Sequence, residues 1–165
     1  MTSAEGRPSK AYVEPTNACN LACATCVRHS WDEPEGFMDW ATFEVVVDGL
    51  EANGTVSFMG LGEPLLHPRF LDMVRAVKRR GLRAEVTTNA LLLDEAMAIG
   101  LLEAGLDQLV VSIDGASAEA FGASLGLVAQ GGMSRAGTRR LPVSRAWSSL
   151  PPGMLRRYSY RIHGR

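Results

Sequence analysis

Short apolar segments alternate with longer amphipathic stretches along residues 11–121. Four segments have the length and composition of strands, and they occur in the order 11–14, 55–59, 83–88 and 109–113. Three stretches between them carry apolar residues at helical spacing, and they run over 39–50, 68–80 and 94–102. Because strands and helices alternate with short turns, the pattern predicts an α/β fold with a parallel sheet and helical crossovers.

Capping residues support these boundaries. Asp39 and Asp94 precede two of the predicted helices as N-caps, and Ser117 is predicted to cap a further short helix that reaches Phe121. The predicted helix ends are Asn53-Gly54, Gly81 and Gly105. The segment 109–113, which is rich in leucine and β-branched residues, is typical of a strand that is buried on both faces.

Polar residues collect where the predicted strands end. A loop that begins at Cys19 follows the first strand, and the later strands are followed by the turn 60–64, by Thr88-Asn89 and by 112–115. In parallel sheets with helical crossovers, ligands bind beyond the carboxyl ends of the strands. The four segments are therefore predicted to meet at one rim and to form a single site.

Composition and charge narrow the class of protein. With 46% hydrophobic and 21% charged residues and no bilayer-length apolar run, the 165-residue chain is typical of a soluble globular protein. The first residues carry no signal-peptide pattern, so we expect a cytoplasmic protein with reduced thiols and no membrane partner. Net charge is −8 over residues 1–116 and +7 over residues 117–165, which indicates a domain boundary, a basic tail or a change in the origin of the sequence.

All three cysteines belong to one motif, Cys19-Asn-Leu-Ala-Cys23-Ala-Thr-Cys26. Three thiolates on one loop can ligate three irons of a cubane cluster and leave the fourth iron open to a chelating ligand. Structural zinc is an alternative, with His29 as the fourth ligand of a Cys3His site. Three buried thiols without a metal are the third reading. The cysteines alone do not decide between iron and zinc.

Four ordered motifs together resemble the radical S-adenosylmethionine (SAM) superfamily. They are the cysteine motif, the turn Gly60 to Pro64, Thr87-Thr88-Asn89 and Val111-Ser112-Ile113-Asp114-Gly115. The lead-in Glu14-Pro-Thr-Asn17 and the run Thr25-Cys26-Val27-Arg28 look most like the branch that contains SPASM-type maturases, sulfatase-maturing enzymes and molybdenum-cofactor cyclases. The resemblance covers residues 11–122 and implies a partial (β/α) barrel with about four of the family's six βα units.

The resemblance also implies cofactors and residue roles. The residues implied to ligate a 4Fe-4S cluster are Cys19, Cys23 and Cys26. Those implied to bind SAM are Gly60, Gly62, Glu63, Pro64, Thr88, Asn89, Ser112 and Asp114. Within that set the turn receives the methionine amino group, and Glu63 accepts from it. The implied reaction is reductive cleavage of SAM to a 5′-deoxyadenosyl radical, which abstracts a hydrogen atom from a substrate.

The resemblance implies partners as well. They are a reductant such as ferredoxin or flavodoxin and a peptide or small-molecule substrate, in peptide or cofactor maturation. The basic segment has few aromatic residues for base stacking, which does not favour nucleic acid. The alternative function is a non-catalytic zinc- or iron–sulfur-binding module with a basic tail.

The sequence departs from the family in three places. Thr25 stands where an aromatic residue is often found, and Ser124-Leu125-Gly126 stands where the family commonly has Ile-Arg-Gly. The barrel of residues 11–122 is incomplete, and 123–165 is predicted to be an irregular basic tail. A lost reading frame, a disordered tail and a folded extension all remain open for that tail. A chain truncated in this way is expected to bind the cofactors in part and to turn over no substrate.

Overall fold

The computed structural model describes residues 6–24, 26–30, 32–113 and 161–162. Strands β1 to β5 are Lys10–Val13, Thr55–Phe58, Arg83–Thr88, Gln108–Ile113 and Arg161–Ile162. Helices α1 to α3 are Trp40–Asp48, Phe70–Arg79 and Glu95–Glu103. From β1 to β4 the chain therefore alternates strands and helices in the predicted order.

The strands form one parallel sheet in the order β1-β2-β3-β4-β5. Val13 pairs with Phe58, Phe58 with Val86, and Val86 with Leu109. Each of the three helices connects two neighbouring strands, so the carboxyl ends of β1 to β4 lie at the same rim. The predicted α/β fold with a parallel sheet is confirmed.

The helices pack on one face of the sheet. Along β3, residues 84, 86 and 88 are buried, and they alternate with less buried residues at 83, 85 and 87. The ring of Phe58 on β2 lies 6.1 Å from that of Phe43 on α1 and 5.2 Å from that of Phe70 on α2. Burial of these rings and their aliphatic neighbours holds the helices to the strands and fixes where the strands end.

The other face of the sheet is more polar. Nζ of Lys10 on β1 lies 2.8 Å from Oε2 of Glu85 on β3. On β4, Val110 and Ser112 are only half-buried. The prediction that β4 is buried on both faces is therefore wrong, because no helix in the described ranges covers this side.

Two predicted N-caps are confirmed. A side-chain oxygen of Asp39 accepts from the N–H of Thr42 at 2.9 Å, and one of Asp94 accepts from the N–H of Met97 at 2.8 Å. Hydrogen bonds from Thr42 also hold the pKa of Asp39 below its ordinary value. Gly105 follows α3 with φ +85° as its predicted stop.

Helix α1 ends earlier than predicted. It stops at Asp48, and the N–H of Gly49 caps it through the carbonyl oxygens of Val45 and Val47. Leu50 leaves the helix and is buried in the core. Asn53, with φ +65°, instead shapes the turn that leads into β2.

None of the helices in the described ranges is long and apolar enough to cross a membrane. Several predictions fall outside the described residues. They concern Thr25, Asp114, the helix 117–121 and most of the segment 123–165.

Candidate functional site

The segment that leads from β1 to the cysteines lies against the turn that follows β2. Oε1 of Glu14 accepts hydrogen bonds from the backbone N–H of Leu61 at 2.5 Å and of Gly62 at 3.1 Å. The carbonyl oxygen of Ala18 accepts from the N–H of Glu63 at 2.8 Å. Residues 14–18 therefore hold the turn 60–64 in place at the rim of the sheet.

This close contact requires glycine at two positions of the turn. A Cβ at Gly60 would collide with the side chain of Glu14. A Cβ at Gly62 would collide with the carbonyl oxygen of Thr16 and lie 2.7 Å from that of Ala18. Neither glycine has a positive φ, so space rather than backbone conformation demands the missing side chain.

The turn presents acceptors rather than donors. The N–H groups of residues 61–63 are bonded to the lead-in segment, residue 64 is a proline, and the N–H groups of residues 65 and 66 are bonded to Glu63. In the described part of the chain, no hydrogen bond reaches the carbonyl oxygens of Gly60, Leu61 or Gly62. A ligand group with several N–H donors, such as an ammonium, complements such acceptors.

Glu63 is a buried carboxylate, with only 2% of the residue exposed. Its Oε1 accepts from the hydroxyl of Thr88 at 2.7 Å and from the N–H of Leu65 at 3.1 Å, and its Oε2 accepts from the N–H of Asn89 at 2.8 Å. Burial raises the pKa of Glu63, and these three hydrogen bonds oppose the rise. The carboxylate joins the turn after β2 to the end of β3, and Oε2 retains capacity for one more donor.

Asn89 connects the end of β3 to the cysteine loop. Its Nδ2 donates to Oδ1 of Asn20 at 2.8 Å and lies 3.9 Å from Sγ of Cys19. Its Oδ1 accepts from the N–H of Leu91 at 3.0 Å, which fixes the amide orientation. A continuous set of contacts therefore runs from Glu63 through Asn89 to Cys19.

The cysteine loop holds three half-buried thiols, none of which forms a disulfide. The N–H of Cys26 donates to the carbonyl oxygen of Cys23 at 3.0 Å, which closes a tight turn between these residues. Arg28 restrains the loop, because its guanidinium donates hydrogen bonds to the carbonyl oxygen of Leu21 at 3.2 Å and to the carboxylate of Glu35 at 2.6 Å. Within the described ranges, no group of three or more His, Cys, Asp or Glu side chains is gathered as a ready metal site.

The structure brings together four of the predicted site residues through direct contacts, namely Cys19, Glu63, Thr88 and Asn89. Ser112 lies at the end of β4, one residue beyond the Val111 that pairs with Thr88. Pro64 is buried and begins a short 3-10 turn. Asp114 lies outside the described residues.

Sequence reasoning did not identify Glu14 and Thr16 as site residues. Thr16 is buried, and its hydroxyl donates to the carbonyl oxygen of Gly36 at 2.6 Å and accepts from the N–H of Ala18 at 3.0 Å. Glu14 could have been identified because its carboxylate directly follows the buried strand residue Val13, at the same rim as the other polar segments.

Comparison with a family model places most of this region in one superfamily. The model described as the Radical SAM superfamily matches residues 13–136. The match includes the cysteine loop, the turn 60–64 and the ends of β3 and β4.

Curated relatives share this part of the sequence. A tungsten-containing aldehyde ferredoxin oxidoreductase cofactor-modifying protein of Pyrococcus furiosus is 42% identical over 106 residues, which cover 62% of this chain and 30% of that protein. A GTP 3′,8-cyclase of a Synechococcus species is 38% identical over 123 residues, or 71% of this chain and 34% of that protein. The mycofactocin maturase MftC of Mycobacterium ulcerans is 29% identical over 64% of this chain and 29% of its own length. The chain thus spans about a third of the length of these relatives.

Solved structures share the fold. BtrN in complex with AdoMet and 2-DOIA superposes with a TM-score of 0.68 at 21% identity, over 94% of this chain and 56% of that one. The AdoMet-bound anSMEcpe gives a TM-score of 0.65 at 22% identity, over 93% of this chain and 42% of that one. These likenesses confirm the predicted partial (β/α) barrel.

Proposed function

Because the chain belongs to the radical SAM superfamily, which uses a 4Fe-4S cluster and SAM, we propose that its rim binds both cofactors. Cys19, Cys23 and Cys26 are the proposed cluster ligands. The turn 60–64, with the ends of β3 and β4, is the proposed SAM site. When bound, the reduced cluster supplies the electron for reductive cleavage of SAM to a 5′-deoxyadenosyl radical.

The donor set of the loop fits an iron–sulfur cluster. Iron–sulfur clusters take thiolate ligands, and the loop offers three thiols outside any disulfide within eight residues. Arg28 and Asn89 hold the two sides of this loop through Leu21 and Asn20. The side chains are not gathered as a ready site, and ligation by a cluster supplies the energy that orders such loops.

The observation that carries the proposal is the set of three carbonyl oxygens at residues 60–62 that no hydrogen bond from a described residue reaches. The methionine part of SAM carries an amino group, which offers N–H donors. Backbone carbonyls beside a buried carboxylate accept hydrogen bonds from such a group and disfavour an anion. Oε2 of Glu63 can accept one further hydrogen bond, and the carboxylate also holds Thr88 and Asn89 in place.

The other proposed SAM contacts come from residues at or just beyond the ends of β3 and β4. Thr88 and Asn89 are proposed to line the nucleoside or methionine part of SAM. Ser112 is half-buried at the end of β4, where its hydroxyl can donate to a carboxylate or a ribose. Asp114 is proposed to shape the same end of the pocket.

The proposed role of the whole protein is peptide or cofactor maturation. Support comes from relatives whose names describe a cofactor-modifying protein, heme synthases and a mycofactocin maturase. The proposed partners are a reductant such as ferredoxin or flavodoxin and a peptide or small-molecule substrate.

Anaerobic reconstitution of the full chain with iron and sulfide tests the proposal. We expect about four irons and four sulfides per chain, visible charge-transfer absorption, and an electron-spin signal that changes when SAM is added. Cys23→Ala should abolish cluster binding, because two thiolates do not hold a cubane against solvent. Ala24→Ser on the same exposed loop is the matched control and should retain the cluster.

Two results would contradict the proposal. One is a full complement of iron in Cys23→Ala. The other is a wild-type chain that binds zinc stoichiometrically and takes up neither iron nor SAM, which would favour the non-catalytic metal-binding module instead.

A further inference from the structure

We propose that Arg28 donates a hydrogen bond from its buried Nε to a sulfur of the bound cluster and thereby raises the reduction potential of that cluster. This inference rests on the proposed function, because the cluster is the one assigned to Cys19, Cys23 and Cys26. It concerns a residue outside these three ligands and outside the turn 60–64.

Arg28 connects the end of the cysteine loop with its middle. It follows Cys26 by two positions, and its Nη2 donates to the carbonyl oxygen of Leu21, which lies between the first two cysteines. Its Nη1 donates to Oε1 of Glu35 at 2.6 Å. Because the guanidinium is planar, these two hydrogen bonds also fix the place of its third nitrogen, Nε.

The segment 34–36, which contains the partner of Nη1, is itself bound to the chain before the loop. Nδ2 of Asn17 donates to the carbonyl oxygen of Pro34 at 3.0 Å, and Oδ1 of Asn17 accepts from the N–H of Gly36 at 2.7 Å. Asn17 and Arg28 thus tie the two ends of the cysteine loop to the same segment. The guanidinium is therefore held in the loop by contacts on two sides.

The Nε of Arg28 lacks an acceptor. It is buried, and no hydrogen-bond partner for it occurs in the described part of the chain. A buried donor left unpaired costs about 1–3 kcal/mol, so we expect a bound group to supply the acceptor. Nε lies on the same edge of the guanidinium as Nη2, and Nη2 is bonded to Leu21 inside the motif. A cubane on the three thiolates brings sulfide and thiolate sulfurs, which accept hydrogen bonds of this kind.

The charge of Arg28 acts in the same direction as the hydrogen bond. Arg28 is the only Lys, Arg, Asp or Glu in residues 15–31 of the sequence. Its side chain is 19% exposed and that of Glu35 is 58% exposed, so water screens the carboxylate more than the guanidinium. Reduction adds one negative charge to the cluster. A partly buried cation that also donates to sulfur favours this reduced form and raises the potential.

The test is the reduction potential of the cluster in the reconstituted full chain and its variants, measured by an anaerobic redox titration that follows the electron-spin signal. Arg28→Gln removes the charge and the Nε donor. The equilibrium constant for one-electron reduction should then fall about tenfold, as expected for the loss of one charge-assisted hydrogen bond. This equals a shift of about 59 mV to more negative potential. Arg28→Lys keeps the charge without the Nε donor and should recover only part of the shift.

Two control variants separate this role from a general structural one. Glu35→Gln removes the carboxylate bonded to Nη1 but leaves the Nε donor and the positive charge, so the potential should stay the same or rise. Arg75→Gln removes an arginine that is likewise paired with a carboxylate, on the exposed side of α2, and should leave the potential unchanged.

Three results would overturn the inference. They are an unchanged potential in Arg28→Gln, a wild-type potential in Arg28→Lys, and a fall in Glu35→Gln as large as that in Arg28→Gln. If Arg28→Gln takes up no cluster, Arg28→Lys decides. A potential below that of the wild type in Arg28→Lys supports the inference, and loss of the cluster there as well shows a purely structural role and contradicts it. A wild-type chain that takes up no cluster would instead contradict the proposed function.

Discussion

The hydroxyl of Thr88, at the end of β3, donates a 2.7 Å hydrogen bond to Oε1 of Glu63, and both residues are buried. The same hydroxyl oxygen accepts from the N–H of Ala90 at 3.0 Å. Ala90 has φ +62°, a backbone conformation that costs about 1 kcal/mol for a residue with a Cβ. Thr88 thus supports a buried carboxylate and a strained turn at once.

Replacement of this hydroxyl should destabilise the fold. We expect Thr88→Val to lower the free energy of unfolding by about 2 kcal/mol, because a buried carboxylate loses a donor and the N–H of Ala90 loses its acceptor. Thr87→Val makes the same change at the neighbouring, half-buried position and should stay within about 0.5 kcal/mol of the wild type. Urea titration of both variants checks this, and equal effects at the two positions would contradict it.

Ionisation of Glu63 should make stability depend on pH with a defined sign. Burial raises the pKa of Glu63 in the folded chain above its ordinary value of 4.5. The folded state then holds this proton more tightly than the unfolded state does, so the stabilising contribution is present below pH 4.5 and is lost as the pH rises through the folded pKa.

Comparison with Glu63→Gln isolates this contribution. The free energy of unfolding of the wild type minus that of the variant should fall as the pH rises above 4.5. Urea titrations at a series of pH values measure this difference. A difference that is flat or that grows with pH would show that the hydrogen bonds to Glu63 outweigh its burial.

Ionisation of Asp107 should make stability depend on pH with the opposite sign. Its Oδ2 accepts from Nζ of Lys78 at 2.6 Å and from the N–H of Ala84 at 2.8 Å. Partial burial alone would raise the pKa of Asp107, but these hydrogen bonds and the charge of Lys78 outweigh it and lower the pKa below 3.8. The stabilisation is therefore present above pH 3.8 and lost as the pH falls through the folded pKa.

Asp107→Asn tests this pair. The variant should be less stable than the wild type at neutral pH. The difference between their free energies of unfolding should become smaller in acid, because the wild type then loses the charged form of Asp107. Asp72→Asn, on the exposed side of α2, is the matched control and should have little effect at any pH. A difference in the free energy of unfolding that grows in acid would contradict the lowered pKa of Asp107.

The sequence predicted the elements with strong local signals. Strand β3 and helix α3 were predicted to within one residue at each end. The composition of β3 is typical of a strand, and α3 is bounded by the N-cap Asp94 and by Gly105. The end of α1 was wrong because Leu50 fits a helical spacing equally well, and only the three-dimensional core shows that it leaves the helix.

Contacts between distant segments could not be predicted in this way. Glu63 shows as a carboxylate in a turn, but its burial depends on Thr88 and Asn89, which lie 25 and 26 positions away. Glu14 reaches Leu61 across 47 positions, and its role follows from the parallel register of β1 and β2. Local patterns predicted where the rim lies, whereas packing between strands determines which side chains hold it together.

Gly62→Ala is expected to displace the turn from the lead-in segment. The new Cβ would collide with the carbonyl oxygen of Thr16 and crowd that of Ala18, and both obstacles are backbone atoms with little freedom to move. We expect a loss of about 1–3 kcal/mol in the free energy of unfolding, as for other overpacked sites, together with weaker SAM binding by the reconstituted chain. Gly36→Ala is the matched control, since a Cβ there has open space and the fold should tolerate it. Urea titration and equilibrium SAM binding measure the two effects. A Gly62→Ala chain that matches Gly36→Ala in both would show that the contact between residues 14–18 and the turn is loose in solution.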